Sequence, residues 1–121
     1  MKENIGTVQY ASLLFDFYGD MLGESQSEIM TLYHEDNLSL AEIAEELGTS
    51  RQAVHYTLKK AESTLEKYEE KLGLLKTYNR NQGLAQTAVS RCEDLINSGS
   101  LTDKQIEELK TVIDTVREIS E

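Results

Sequence analysis

Apolar residues recur three and four positions apart along most of the chain, the spacing of one face of an α-helix. Tyr10, Leu13, Leu14, Phe17 and Met21 set the first such run and predict a helix over about 6–20. Further helix starts are marked by capping boxes, a Ser or Thr followed three residues later by Glu or Gln. The two side chains satisfy N–H groups that the first helical turn leaves open. The boxes are Ser25 with Glu28, Ser39 with Glu42, Thr49 with Gln52 and Thr102 with Gln105. On a long middle helix, Leu58, Ala61, Leu65, Tyr68, Leu72 and Leu75 form a seam of about two and a half heptads. Gly73 and the polar run YNRNQG (78–83) predict a break or bend before another helix over about 80–97, and NSGS (97–100) reads as a turn. The seam needs a second helical surface to cover it. Ala85, Ala88, Cys92 and Leu95, with Ile106, Leu109, Ile113 and Val116, supply one within the chain, making an antiparallel bundle. A second copy supplies another, making a dimer seam. The pattern leaves both open.

Composition sharpens the fold class. The chain has 121 residues, no proline and seven glycines, which favours an all-α protein because strands and turns normally recruit both residues. The length fits one domain with a helical extension: residues 1–75 as an N-terminal helix plus a helix-turn-helix domain, and residues 76–121 as the extension. The single cysteine, Cys92, cannot close an internal disulfide, which suits a reducing compartment. The N-terminal residues lack an apolar signal core and no apolar run approaches membrane-spanning length, so the expectation is a cytoplasmic, soluble protein with no membrane insertion.

The segment LSLAEIAEELGTSRQAVHYTLKKA (38–61) concentrates the functional signal. Leu40, Ile43, Ala44 and Leu47 make the apolar face of a short helix, and Ala44 is small where a second helix must cross closely. Gly48 follows at the position where a tight turn needs left-handed backbone. Val54, Leu58 and Ala61 then face inward from the next helix. This is helix-turn-helix spacing, here without a wing. Thr57 stands where many such motifs place an apolar residue, so the second helix is expected to be slightly rotated or continuous with the heptad seam. The outward positions are Ser50, Arg51, Gln52, His55, Tyr56, Lys59 and Lys60. Arg and Gln are the residues that hydrogen-bond guanine and adenine in the major groove. Ser, Tyr and Lys reach phosphates. The bland alternative for these residues is the solvated face of a surface helix.

Charge supports a local contact only. The net charge is −10, with one Lys against seven acids in residues 1–37, while residues 49–61 carry three bases and no acid. Acidic bulk repels phosphate, so nucleic-acid binding is expected to be weak in a single copy, and the chain is expected to form a homodimer, as helix-turn-helix proteins commonly do.

The same residues resemble a known family. LSLAEIAEELGTSRQAV resembles region four of bacterial sigma factors, which reads promoter DNA. FDFYGDML (15–22), LYHEDNLSLAEIAEE (32–46), SRQAV (50–54) and LEKYEEKLGLL (65–75), in this order and spacing, resemble the YlxM family. These are small bacterial helix-turn-helix proteins whose gene typically neighbours that of the signal-recognition-particle GTPase. The resemblance implies a regulatory role in that pathway, through binding the particle's RNA or its protein. A sequence-specific DNA-binding regulator and a helical adaptor that binds only protein stay open beside it. Family members often follow SRQAV with an aromatic–acidic pair; His55 and Tyr56 depart from this and ease the approach of phosphate.

Nothing in the sequence asks for catalysis, a cofactor or a metal. His34 is flanked by Glu35 and Asp36, but adjacent helical residues point apart, so a surface histidine at a helix end is expected. Cys92 has core spacing with Ala88 and Leu95 and reads as a small buried hydrophobe. Glu45–Glu46 and Glu69–Glu70 read as solvated helix faces. Phe17 and Tyr18 are expected to pack under the helix-turn-helix.

Overall fold

The computed structural model describes residues 7–120, and every regular element among them is a helix. The elements are α1 (Thr7–Tyr18), a 3-10 turn (Gly19–Met21), α2 (Glu24–Met30) continued by a π-helical turn (Thr31–Glu35), α3 (Leu40–Leu47), α4 (Arg51–Leu72), α5 (Leu74–Asn97) and α6 (Asp103–Ser120). The chain forms two compact units that divide between Leu75 and Lys76.

The first unit is built around α4, against which α1, α2 and α3 all pack. Its core joins Leu14, Phe15 and Tyr18, then Ile29 and Met30, then Ile43 and Ala44, with Val54, Leu58, Ala61 and Leu65 from α4. The seam is thus covered by the N-terminal helices as far as Tyr68, and Leu75 at its end is buried in the same core. Leu72, expected in the same seam, is exposed. The buried face of α1 is also rotated from the expected one. Ala11, Leu14, Phe15 and Tyr18 point inward, while Leu13 and Met21 are exposed. Gly19 sits where a Cβ would come within 2.8 Å of the Phe15 ring, so a larger residue would displace that ring from the core.

Two of the four predicted caps form as boxes. Ser39 accepts from the Glu42 N–H at 3.1 Å while Glu42 accepts from the Ser39 N–H at 2.8 Å. Thr102 and Gln105 do the same at 3.2 and 3.0 Å. The other two are displaced. α2 starts at Glu24 behind Gly23, which leaves Ser25 inside the first turn rather than at the cap. α4 is capped by Ser50, whose hydroxyl accepts from the Ala53 N–H at 3.0 Å. Thr49 instead donates its N–H to Ala44 to close α3.

Gly73 ends α4 in left-handed backbone, φ 62°. The first N–H groups of α5 then find partners outside their own helix. Leu74 donates to the Tyr18 hydroxyl at 2.9 Å, and Leu75 donates to Glu69 Oε1 at 3.1 Å. Tyr18 itself donates to Glu69 Oε1 at 2.5 Å. Burial and the bond to this carboxylate push the Tyr18 phenol above its ordinary value. Glu69 is therefore a structural acceptor, not part of a solvated face.

His34 is likewise not a surface residue, because its side chain is only 2% exposed. The wider π turn carries it toward α4, where Nε2 lies 3.7 Å from Glu62 Oε2. That separation is an ion-pair distance and too long for a hydrogen bond. The ring also meets Tyr33 edge-on, with centroids 5.0 Å apart.

The second unit is a helical hairpin. α5 runs unbroken through residues 78–83 despite Gly83, so the break predicted there is confined to Gly73. One interior glycine costs a helix only about 1 kcal/mol, which good neighbours absorb. Gln82 donates to the Ser120 carbonyl at 2.6 Å, and Arg117 meets Glu93 at 3.6 Å. Val89 and Ile113 are the buried residues of this unit among those described. Ala85, Ala88, Cys92, Ile106, Leu109 and Val116 are half-buried, while Leu95 is exposed.

Candidate nucleic-acid interface

α3, its turn and the first half of α4 make the site. Ile43 and Ala44 bury against Val54 and Leu58, and Leu40 and Leu47 flank them. Gly48 adopts φ 68°, which lets its own N–H reach Glu45 at 3.3 Å and the Thr49 N–H reach Ala44 at 3.0 Å. These paired bonds stop α3 and release the chain for a new helix two residues later. A non-glycine residue at Gly48 would meet no neighbour but would have to hold a conformation that costs about 1–2 kcal/mol.

The candidate contact residues leave α4 from its exposed side. Ser50, Arg51, Gln52, His55, Tyr56, Lys59 and Lys60 are all exposed, while Val54 and Leu58 between them are buried. Thr57 is half-buried and Leu58 takes the core position in a helix that continues unbroken to Leu72. The Ser50 hydroxyl is engaged as the cap, and the N–H groups of Arg51 and Gln52 stand at the open end of the helix, where anions are favoured. Tyr56 is 64% exposed, and its hydroxyl accepts from Lys60 Nζ at 3.3 Å. The Lys60 ammonium also lies 5.5 Å from the Tyr56 ring centroid. This arrangement holds a cation and an aromatic ring together on the outer face.

Lys59 differs from the other two bases. Its Nζ lies 3.6 Å from Glu62 Oε1. Burial alone would raise the Glu62 carboxyl, but His34 and Lys59 overcome it and hold Glu62 below the usual carboxylate value. Part of the Lys59 charge is therefore answered within α4, and Arg51 and Lys60 are the bases better placed to meet a phosphate. The acid-free stretch seen in the sequence ends one residue before Glu62. No cluster of three or more His, Cys, Asp or Glu side chains suited to a metal occurs among the described residues. No helix among them is long and apolar enough to cross a membrane.

A short helix, a glycine turn and an outward-facing second helix, set in an all-α chain, define a helix-turn-helix protein. The chain belongs to the UPF0122 family, whose family model, described as "Putative helix-turn-helix protein, YlxM / p13 like", matches residues 6–112. It is 41% identical over 105 residues to a UPF0122 protein of Listeria monocytogenes serotype 4b, covering 84% of this chain and 92% of that one. A UPF0122 protein of Listeria welshimeri is also 41% identical over 105 residues, with the same coverage. One from Bacillus cereus is 42% identical over 106 residues, covering 88% of this chain and 90% of its own.

Proposed function

We propose that this protein is a non-catalytic, cytoplasmic regulator that contacts nucleic acid through the first turns of α4. The observation that carries the reading is the exposed face itself. Arg51, Gln52, His55, Tyr56 and Lys60 are all exposed on a helix whose Val54, Leu58 and Ala61 row is in the core. A lone helix presented in this way fits the major groove of duplex DNA, which admits an α-helix. The deep, narrow major groove of duplex RNA does not. A second reading rests on the YlxM likeness: action in the signal-recognition-particle pathway, by binding the particle's RNA or its protein.

The test uses the full chain, labelled duplex DNA pools and the particle RNA, titrated against the parent and against Arg51→Ala/Gln52→Ala. Each bidentate base contact is worth about 1–3 kcal/mol, so losing two weakens DNA binding by tenfold or more. Both positions are exposed, and the urea midpoint is expected to stay the same. Parent-like DNA affinity in the double variant would overturn the assignment of these residues. Binding to the particle RNA or protein with none to DNA would favour the second reading.

A further inference from the structure

The second unit leaves one side of its hairpin apolar and open. Leu84 (55% exposed), Leu95 (50%), Val112 (45%) and Ile119 (81%) are its exposed large hydrophobic residues outside the first turns of α5. They share a geometry. Each stands one residue before a position turned toward the opposite helix: Ala85, Ile96, Ile113 and Ser120. Glu93 and Arg117 each stand one residue after such a position, Cys92 and Val116, and they meet at 3.6 Å. In an antiparallel pair, residues that follow the seam on both helices turn to the same side. Those that precede it turn together to the other side. The ion pair thus marks one side, and the four hydrophobic residues share the side opposite with Arg91 and Glu108, which also precede seam positions.

We infer that a second copy of this chain packs on this face, closing two hairpins into a four-helix bundle. The inference does not rest on the nucleic-acid reading. Three observations select this occupant. The first is size. From helix dimensions the face is about 30 Å by 20 Å, or roughly 600 Å², near the roughly 800 Å² that each partner contributes to a stable interface. The second is net charge. Residues 1–75 carry six bases against fourteen acids, whereas residues 76–121 carry six against eight, so two copies repel least through the second unit. The third is complementarity. Arg91 precedes the seam position Cys92 on α5, and Glu108 precedes Leu109 on α6, so each borders the apolar stripe of its own helix, and both are exposed. When the α5 of one copy lies antiparallel on the α6 of the other, Arg91 approaches the partner's Glu108. The two-fold axis repeats the contact.

Sedimentation equilibrium of the full chain from one to a hundred micromolar tests the inference. The parent is expected to be a dimer in the upper part of that range. Leu84→Glu/Ile119→Glu is expected to be a monomer throughout, with unchanged helical circular dichroism. Leu13→Glu, at an exposed apolar residue of the first unit, is expected to dimerise like the parent. Arg91→Glu and Glu108→Arg each place like charges across the contact and are expected to weaken self-association about tenfold or more. Mixing these two variants restores opposite charges at both contacts, so a heterodimer of parent-like affinity is expected. A monomeric parent at a hundred micromolar would overturn the inference. So would a dimer indifferent to Leu84→Glu/Ile119→Glu, or charge variants that gain nothing on mixing.

Discussion

Tyr18 shows how much a single buried hydroxyl can organise. It is 1% exposed, it donates to Glu69, and it accepts the first N–H of α5. Tyr18→Phe keeps the ring and removes both bonds, leaving an acceptor and an amide short of partners. The expected loss is about 1–3 kcal/mol, seen as a lower urea midpoint. Nothing local in the sequence announces this network, because Tyr18 and Glu69 are 51 positions apart. His34 was hidden for a related reason. Its neighbours Glu35 and Asp36 draw the eye, but its true partner Glu62 lies on another helix. The lowered Glu62 carboxyl makes a pH prediction. Its folded value lies below the ordinary 4.5, so its contribution to stability is present above that value and is lost as pH falls through the folded one. Urea midpoints of the parent and Glu62→Gln are therefore expected to differ most near neutrality and to converge on acidification below about pH 4.5.

At the level of elements, the helix-turn-helix was legible because its signals are short-range. A capping box, a small crossing residue, a left-handed glycine and an inward Val54–Leu58–Ala61 row all lie within one stretch of chain. Ala44→Leu is expected to overpack the α3–α4 crossing and to cost about 1–3 kcal/mol, again read from the urea midpoint. Helix starts were less legible. Ser50 and Thr49 are adjacent, both can cap, and the choice depends on which one the αL turn at Gly48 leaves free. The covering of the α4 seam was not legible at all. Periodicity says that a face is buried, not what buries it, and here α1, α2 and α3 pack on it.

For the whole molecule, position reconciles its acidity with the proposed binding. The net charge of −10 sets a repulsive background, and the bases of α4 open a local gap in it. With Lys59 leaning on Glu62, the proposed interface would neutralise about two phosphates per copy. The slope of log affinity against log salt on duplex DNA is then expected to be about −2 per copy. Lys60→Gln should flatten it by about one. The candidate contact residues could be named from the sequence, but the unequal standing of the three bases could not, since it depends on where Glu62 points. The thin interior of the hairpin also has a bearing on time. With only Val89 and Ile113 deeply covered among the described residues beyond 75, amides in α6 can open by local fraying, whereas those of α4 beside Leu58 and Leu65 need the whole first unit to come apart. Placed in heavy water, the chain should therefore keep two clocks. Deuterium should enter α6 first, and dilution should speed that uptake while leaving the centre of α4 unchanged.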